Sequence, residues 1–196
     1  MQYGYHHGNL EVAARRRAGA IVRADGVGAV SMRAIARAEG VTVGALYRHH
    51  RSRDDLLASV AAEGFRELAD AMAAPRQNPD LTPARQLAET GRAYLQFALA
   101  NRGLFRLMFA TDLDVEIPDG GPPSAFEQLQ AAAEDLTGPD GEAPGEDLMA
   151  MWAAVHGLAT LVLEGTWVPA EDTLSDVADH VLDRMVDLVS AAAATS

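Results

Sequence analysis

Apolar residues recur three or four apart along most of this chain. Leu10, Ala14, Ala18, Ile21 and Val22 form one helical face, opened by Asn9 with Glu11 and ended by Gly26 and Gly28. Ser31 can cap a short second helix with Met32, Ile35 and Ala36 on one side. Gly40 breaks that helix, Thr42 can cap a third running through Ala45 to His49, and Arg51–Ser52 breaks the chain again. Ser52 with Asp55 three residues on resembles a capping box, opening a longer helix to about Ala74 whose apolar face is Leu56, Leu57, Val60, Phe65 and Leu68. Pro75 to Pro83 reads as a linker. Further helices are expected at about 83–100, 102–110, 123–136, 145–166 and 172–193. Two Gly/Pro/Asp-rich stretches, Asp112–Pro123 and Thr137–Gly145, read as mobile surface loops. Strand-type alternation and fixed-period repeats are absent. The pattern therefore predicts an all-α chain, with a three-helix domain over 1–52 and a helical domain of about six helices over 53–196.

Composition changes this picture little, whereas charge changes it more. Of 196 residues, 48% are hydrophobic and 22% charged, as in a globular protein. No uninterrupted apolar run approaches the roughly 18 residues needed to cross a bilayer, so no membrane partner is expected. The absence of cysteine removes disulfides, thiolate metal sites and Cys nucleophiles, and is compatible with a cytoplasmic location. The net charge of −12 argues by itself against nucleic acid. The distribution of that charge points the other way locally. Residues 1–58 carry nine arginines against five acids, a balance of +4, and the remainder carries −16. A basic head could hold a phosphate backbone while an acidic body repels it.

The stretch Ser31–Leu57, SMRAIARAEGVTVGALYRHHRSRDDLL, has helix-turn-helix spacing. Gly44 and Ala45 leave the front of the third helix nearly bare, so its backbone can approach base edges. Thr42, Tyr47, Arg48 and His49 supply donors around it, and helix N-termini at Met32, Val43 and Arg53 face positive ends toward phosphate. The candidate DNA-binding residues are Ser31, Arg33, Thr42, Val43, Gly44, Ala45, Tyr47, Arg48, His49 and Arg53. The run Arg15-Arg16-Arg17 reads as a solvated face. His6, His7, His49 and His50 lack carboxylate partners at ligand spacing, so no metal is expected.

The segment resembles the DNA-binding domain of the TetR/AcrR family of transcriptional regulators. The matching pieces are Tyr5-His6-His7-Gly8-Asn9-Leu10, Ile35-Ala36, Gly40-Val41, Gly44-Ala45-Leu46-Tyr47-Arg48-His49 and Asp54-Asp55-Leu56-Leu57. The resemblance implies a base or phosphate contact for Tyr47. Two positions depart from the family pattern: His50 stands where the family usually has Phe, and Arg53 where it usually has Lys. Arg53 would keep the phosphate-binding charge.

The body gathers methionines and aromatics, which can line an adaptable apolar cavity. Phe97, Phe105, Met108, Met149, Trp152 and His156 are the candidate ligand-binding residues. Trp152 and His156 share a helix face, and Trp-x-x-x-His-Gly resembles the C-terminal domain of one Trp-His-Gly branch of the same family. His156 either lines the pocket or is a core histidine bonded to another helix, and Gly157 is read as permitting close helix packing. No arginine lies between Arg106 and Arg184, so a flat or elongated apolar effector, neutral or cationic, is favoured, oriented by His156 or Glu164. The wide apolar faces Leu148, Val155, Leu158, Val162 and Leu174, Val177, Val181, Met185, Leu188 suggest a homodimer through the last two helices. No enzyme motif is present, so no catalysis and no cofactor are expected. The reading is a ligand-responsive, operator-binding regulator, a repressor by preference. The rivals are a small-molecule-binding protein without DNA activity and a four-His helical metalloenzyme.

Overall fold

The computed structural model describes residues 7–110, 124–137 and 145–193. Among them the chain is helical throughout: α1 His7–Asp25, α2 Met32–Ala38, α3 Val43–Tyr47, α4 Arg53–Ala73, α5 Pro83–Ala100, α6 Arg102–Met108, α7 Ala125–Thr137, α8 Gly145–Leu163 and α9 Glu171–Ala193. Short 3-10 turns occupy Val27–Ala29 and Ala74–Gln77. The all-α class and most helix limits follow the sequence pattern. The segment Tyr5–His6 and the loops over 112–123 and 138–144 lie outside the described residues.

Where limits differ, a local cause is visible. α1 begins at His7, ahead of Asn9, so Asn9 is not its cap. α3 stops at Tyr47 rather than His49, because the amides of His49 and His50 both turn back on the Leu46 carbonyl, at 3.0 Å each. α8 stops at Leu163, followed by Gly165 at φ +69. α8 is also, by length and composition, apolar enough to cross a membrane. Glu146, Asp147 and His156 interrupt its apolar run without offsetting the average. Its Leu148, Met151, Val155, Leu158, Ala159 and Leu163 are nonetheless buried within the protein.

The described residues separate into two compact units: the chain up to Phe65 together with Asn101 onward through α6, and Arg66–Ala100 together with α7 to α9. In the first, Leu10, Ala14, Ala18 and Val22 of α1 are buried, as are Ile35, Leu46 and Leu57, and α1 packs on α2 and α3. α6 lies so close to α1 that a Cβ on Gly103 would stand 2.2 Å from the Val22 carbonyl oxygen. Phe65, Phe105 and Phe109 cluster there, with ring centroids 5.4 and 4.7 Å apart. In the second unit α5 is the central helix, packed by α7, α8 and α9. Gly91 lets α9 approach it, since a Cβ would stand 2.3 Å from Leu182 Cδ2. Arg92 joins Glu89, at 3.2 Å, and Asp179 of α9. Gly157, by contrast, faces open space within this chain, so it is not needed for packing here.

Candidate nucleic-acid interface and effector cavity

Three side-chain caps build the helix-turn-helix. Ser31 Oγ accepts from the Ala34 amide at 3.4 Å, Thr42 Oγ1 from Ala45 at 3.1 Å, and Ser52 Oγ from Asp55 at 2.9 Å. Each hydroxyl keeps its own proton to donate elsewhere. Gly40, at φ +70, closes α2: its amide bonds Arg37 O and the Val41 amide bonds Ala36 O, the paired contacts of a Schellman end. Within α3 only Leu46 is buried. Gly44 has nothing nearer to its Cβ position than Thr42 Oγ1 at 4.0 Å, so the front of α3 is bare as expected. Tyr47 stands 47% exposed, and Ser31, Arg33, Thr42 and Arg48 are exposed beside it in the same motif. Val43, Ala45, His49 and Arg53 are half-buried.

The turn between α3 and α4 is latched. Asp55 accepts from the Arg51 amide at 3.2 Å and from the Arg51 guanidinium at 2.9 and 3.1 Å. Burial pushes the Asp55 carboxyl up, but the Arg51 hydrogen bonds and charge outweigh it and hold the group below its ordinary range. Ser52 and Asp55 thus make half of a capping box, with the carboxylate turned to Arg51. His50 is buried to 3% exposure, with Nδ1 3.6 Å from Asp55 Oδ2 and Nε2 without a hydrogen-bond partner. Arg53, with 38% of its side-chain surface still exposed, reaches back over the chain, donating from Nε to Val30 O at 3.0 Å and from Nη2 to Val27 O at 2.5 Å. Arg15 reaches Glu63 at 3.3 Å and Arg17 pairs with Glu39, so two members of that arginine run tie helices together rather than face only solvent.

The second unit holds a small cavity of about 210 Å³, counted out to its mouth, lined by Met72, Gly91, Tyr94, Leu129, Met151, Trp152 and Val155. Rings meet edge to face around it: Tyr94–Trp152 at 5.1 Å and Trp152–Phe126 at 5.9 Å. Tyr94 Oη lies 2.7 Å from His156 Nδ1. Burial raises the Tyr94 phenol and lowers the His156 imidazole, so both are neutral near pH 7 and the two side chains share one hydrogen bond. Of the six residues singled out from sequence, Trp152 lines this cavity and His156 holds one of its walls. Phe97 is buried on α5 outside the lining, Met149 is 55% exposed, and Phe105 and Met108 belong to the first unit. Glu164 is exposed at the end of α8 and Val155, read as part of a dimer face, points inward. The liners Tyr94, Met72 and Met151 stand out in sequence only as members of the Met/aromatic set, and Gly91 and Leu129 carry no signal at all. Among the described residues no group of three or more His, Asp or Glu is placed to hold a metal ion.

Residues 18–60 match the model of bacterial regulatory proteins of the tetR family, and residues 87–189 match that of the tetracyclin repressor-like C-terminal domain. No curated protein matches the chain significantly. Among solved structures, a protein of unknown function from Rhodococcus sp. RHA1 is 28% identical over 97% of this chain and 98% of its own, with a TM-score of 0.65. A tetR-family regulatory protein from Rhodococcus RHA1 is 22% identical (92% and 96% covered, TM-score 0.60). A tetR-family transcriptional regulator from Streptomyces coelicolor is 18% identical (100% and 85% covered, TM-score 0.65). With one family model on the helix-turn-helix and the other over more than half of the chain, this protein belongs to the TetR family of bacterial transcriptional regulators.

Proposed function

We propose that the protein is an effector-responsive repressor that binds a palindromic operator as a homodimer, residues 1–52 reading DNA and residues 53–196 binding effector and dimerising. The observation that carries this reading is the doubly capped α2–turn–α3 unit, with a bare α3 front and an exposed Tyr47. On α9, Leu174, Val177, Val181 and Met185 remain half-buried and Leu188 exposed, spaced three or four apart, and Leu161 of α8 is exposed too. Such a stripe supports pairing of α8 and α9 with their copies, which sets two reading heads one helical turn, about 34 Å, apart. The enclosed part of the cavity is far too small for a drug-sized ligand, so an effector must part α5, α7 and α8 to enter. That displacement is the event that lowers operator affinity. The lining carries no carboxylate or guanidinium, and Arg92 is engaged by Glu89 and Asp179, so a neutral, flat apolar molecule is favoured over a cation or an anion. Selection of bound duplexes from random sequence tests the reading. Enrichment of a palindrome supports it; no enrichment at low salt leaves the chain a small-molecule-binding protein without DNA activity.

A further inference from the structure

We infer that Arg53 is a positioning residue for the DNA-reading helices, a clamp on the turn that precedes α2, and not a phosphate contact; the inference rests on the DNA-binding reading above. Arg53 is the first residue of α4. Its guanidinium reaches back 23 and 26 residues, with Nε donating to Val30 O at 3.0 Å and Nη2 to Val27 O at 2.5 Å. These carbonyls bracket the 3-10 turn Val27–Ala29, which is itself closed by the Val30 amide on Val27 O at 3.2 Å. Val30 is buried, and the next residue, Ser31, caps α2. The remaining nitrogen, Nη1, lies 3.7 Å from Asp54 Oδ1. Each guanidinium nitrogen thus faces an acceptor of this chain.

Position 53 therefore uses the fork and not only the charge. A lysine ammonium is a point charge on a flexible stem and does not span two fixed carbonyls. The two bonds hold the turn that precedes α2 against the start of α4, and α3 packs on the α2 whose origin they set. Without the clamp the reading arrangement is populated only part of the time. Apparent affinity then falls by that fraction, equally at every salt concentration.

The test compares full-length Arg53→Lys and Arg53→Gln with the parent protein by hydrogen exchange without DNA and by titration of the selected duplex over a range of salt. Both variants are expected to exchange the Val30 amide faster and to lose operator affinity, each by about tenfold. The slope of log affinity against log salt stays that of the parent. The inference is overturned if Arg53→Lys matches the parent in exchange and affinity, or if Arg53→Gln lowers the slope by about 0.9, the mark of one lost phosphate contact. Should Arg53→Gln not fold, Arg53→Lys decides alone, because it changes the fork and keeps the charge. Should the parent bind no duplex, the regulator reading fails while the exchange data still decide the clamp.

Discussion

A histidine inside a protein is held by whatever its two nitrogens meet, and half-buried His156 and buried His50 meet different things. His156 shares a hydrogen bond with Tyr94, and burial lowers its pKa from 6.5. In the unfolded chain the imidazole protonates below about pH 6.5, while in the folded chain it resists. Stability is therefore complete above that pH and is lost as pH falls toward the lower folded value. The Tyr94 phenol, raised by burial from 10.0, adds a second loss above about pH 10. Thermal melting across pH 4–7 is expected to show a decline that His156→Gln flattens; equal slopes for parent and variant would refute the assignment. His50 is different. Its Nε2 is buried without a partner, and a phenyl ring of similar size carries no such group. His50→Phe is expected to leave stability unchanged or raise it by about 1 kcal/mol, read as a shift in the urea midpoint.

The helices, taken one at a time, are set by signals only three or four residues long, while their contacts depend on where small residues fall. Two glycines separate these cases. At Gly103 a Cβ would sit 2.2 Å from backbone oxygen of α1, which cannot rotate away. Gly103→Ala is expected to cost about 1–3 kcal/mol through overpacking. At Gly157 nothing lies within 4 Å, so alanine fits and can add up to about 1 kcal/mol of helix propensity. Melting temperatures of the two variants should move in opposite directions. A loss at Gly157 would mean that something outside this chain packs on it.

For the molecule as a whole, charge and unburied apolar area govern assembly. A head of +4 on a chain of −12 confines phosphate affinity to one end, so operator affinity should fall steeply and linearly in log salt. Tyr47→Ala should weaken operator binding by about 1–3 kcal/mol without moving the melting temperature, because Tyr47 is 47% exposed and supports no core. Val181 is half-buried on the α9 stripe. Val181→Asp would place an unpaired charge in a desolvated interface and should convert a dimer into folded monomers, as measured by light scattering. A monomeric parent protein would remove the basis for that expectation.

Much of this protein is legible without coordinates, and the legible part is local. Ser31 to Ala34, Thr42 to Ala45 and Ser52 to Asp55 are bonds between residues three apart, and Gly26, Gly40 and Gly165 take positive φ at helix ends. Chemistry at that range is written in the residues themselves, so most helix limits and the bare front of α3 follow from the sequence alone, while the ends of α1, α3 and α8 do not. What only the tertiary structure decided lies between elements distant along the chain. Arg53 offers the same charge to a phosphate or to a carbonyl, and only the fold brings Val27 and Val30 to it. Every methionine and aromatic of the body looks equally suited to a cavity, yet Trp152 lines it while Phe105 is buried with α1 and α6. Apolar residues at the same period carry equal transfer free energy wherever they are buried, so periodicity reports that a face is covered and not by which partner.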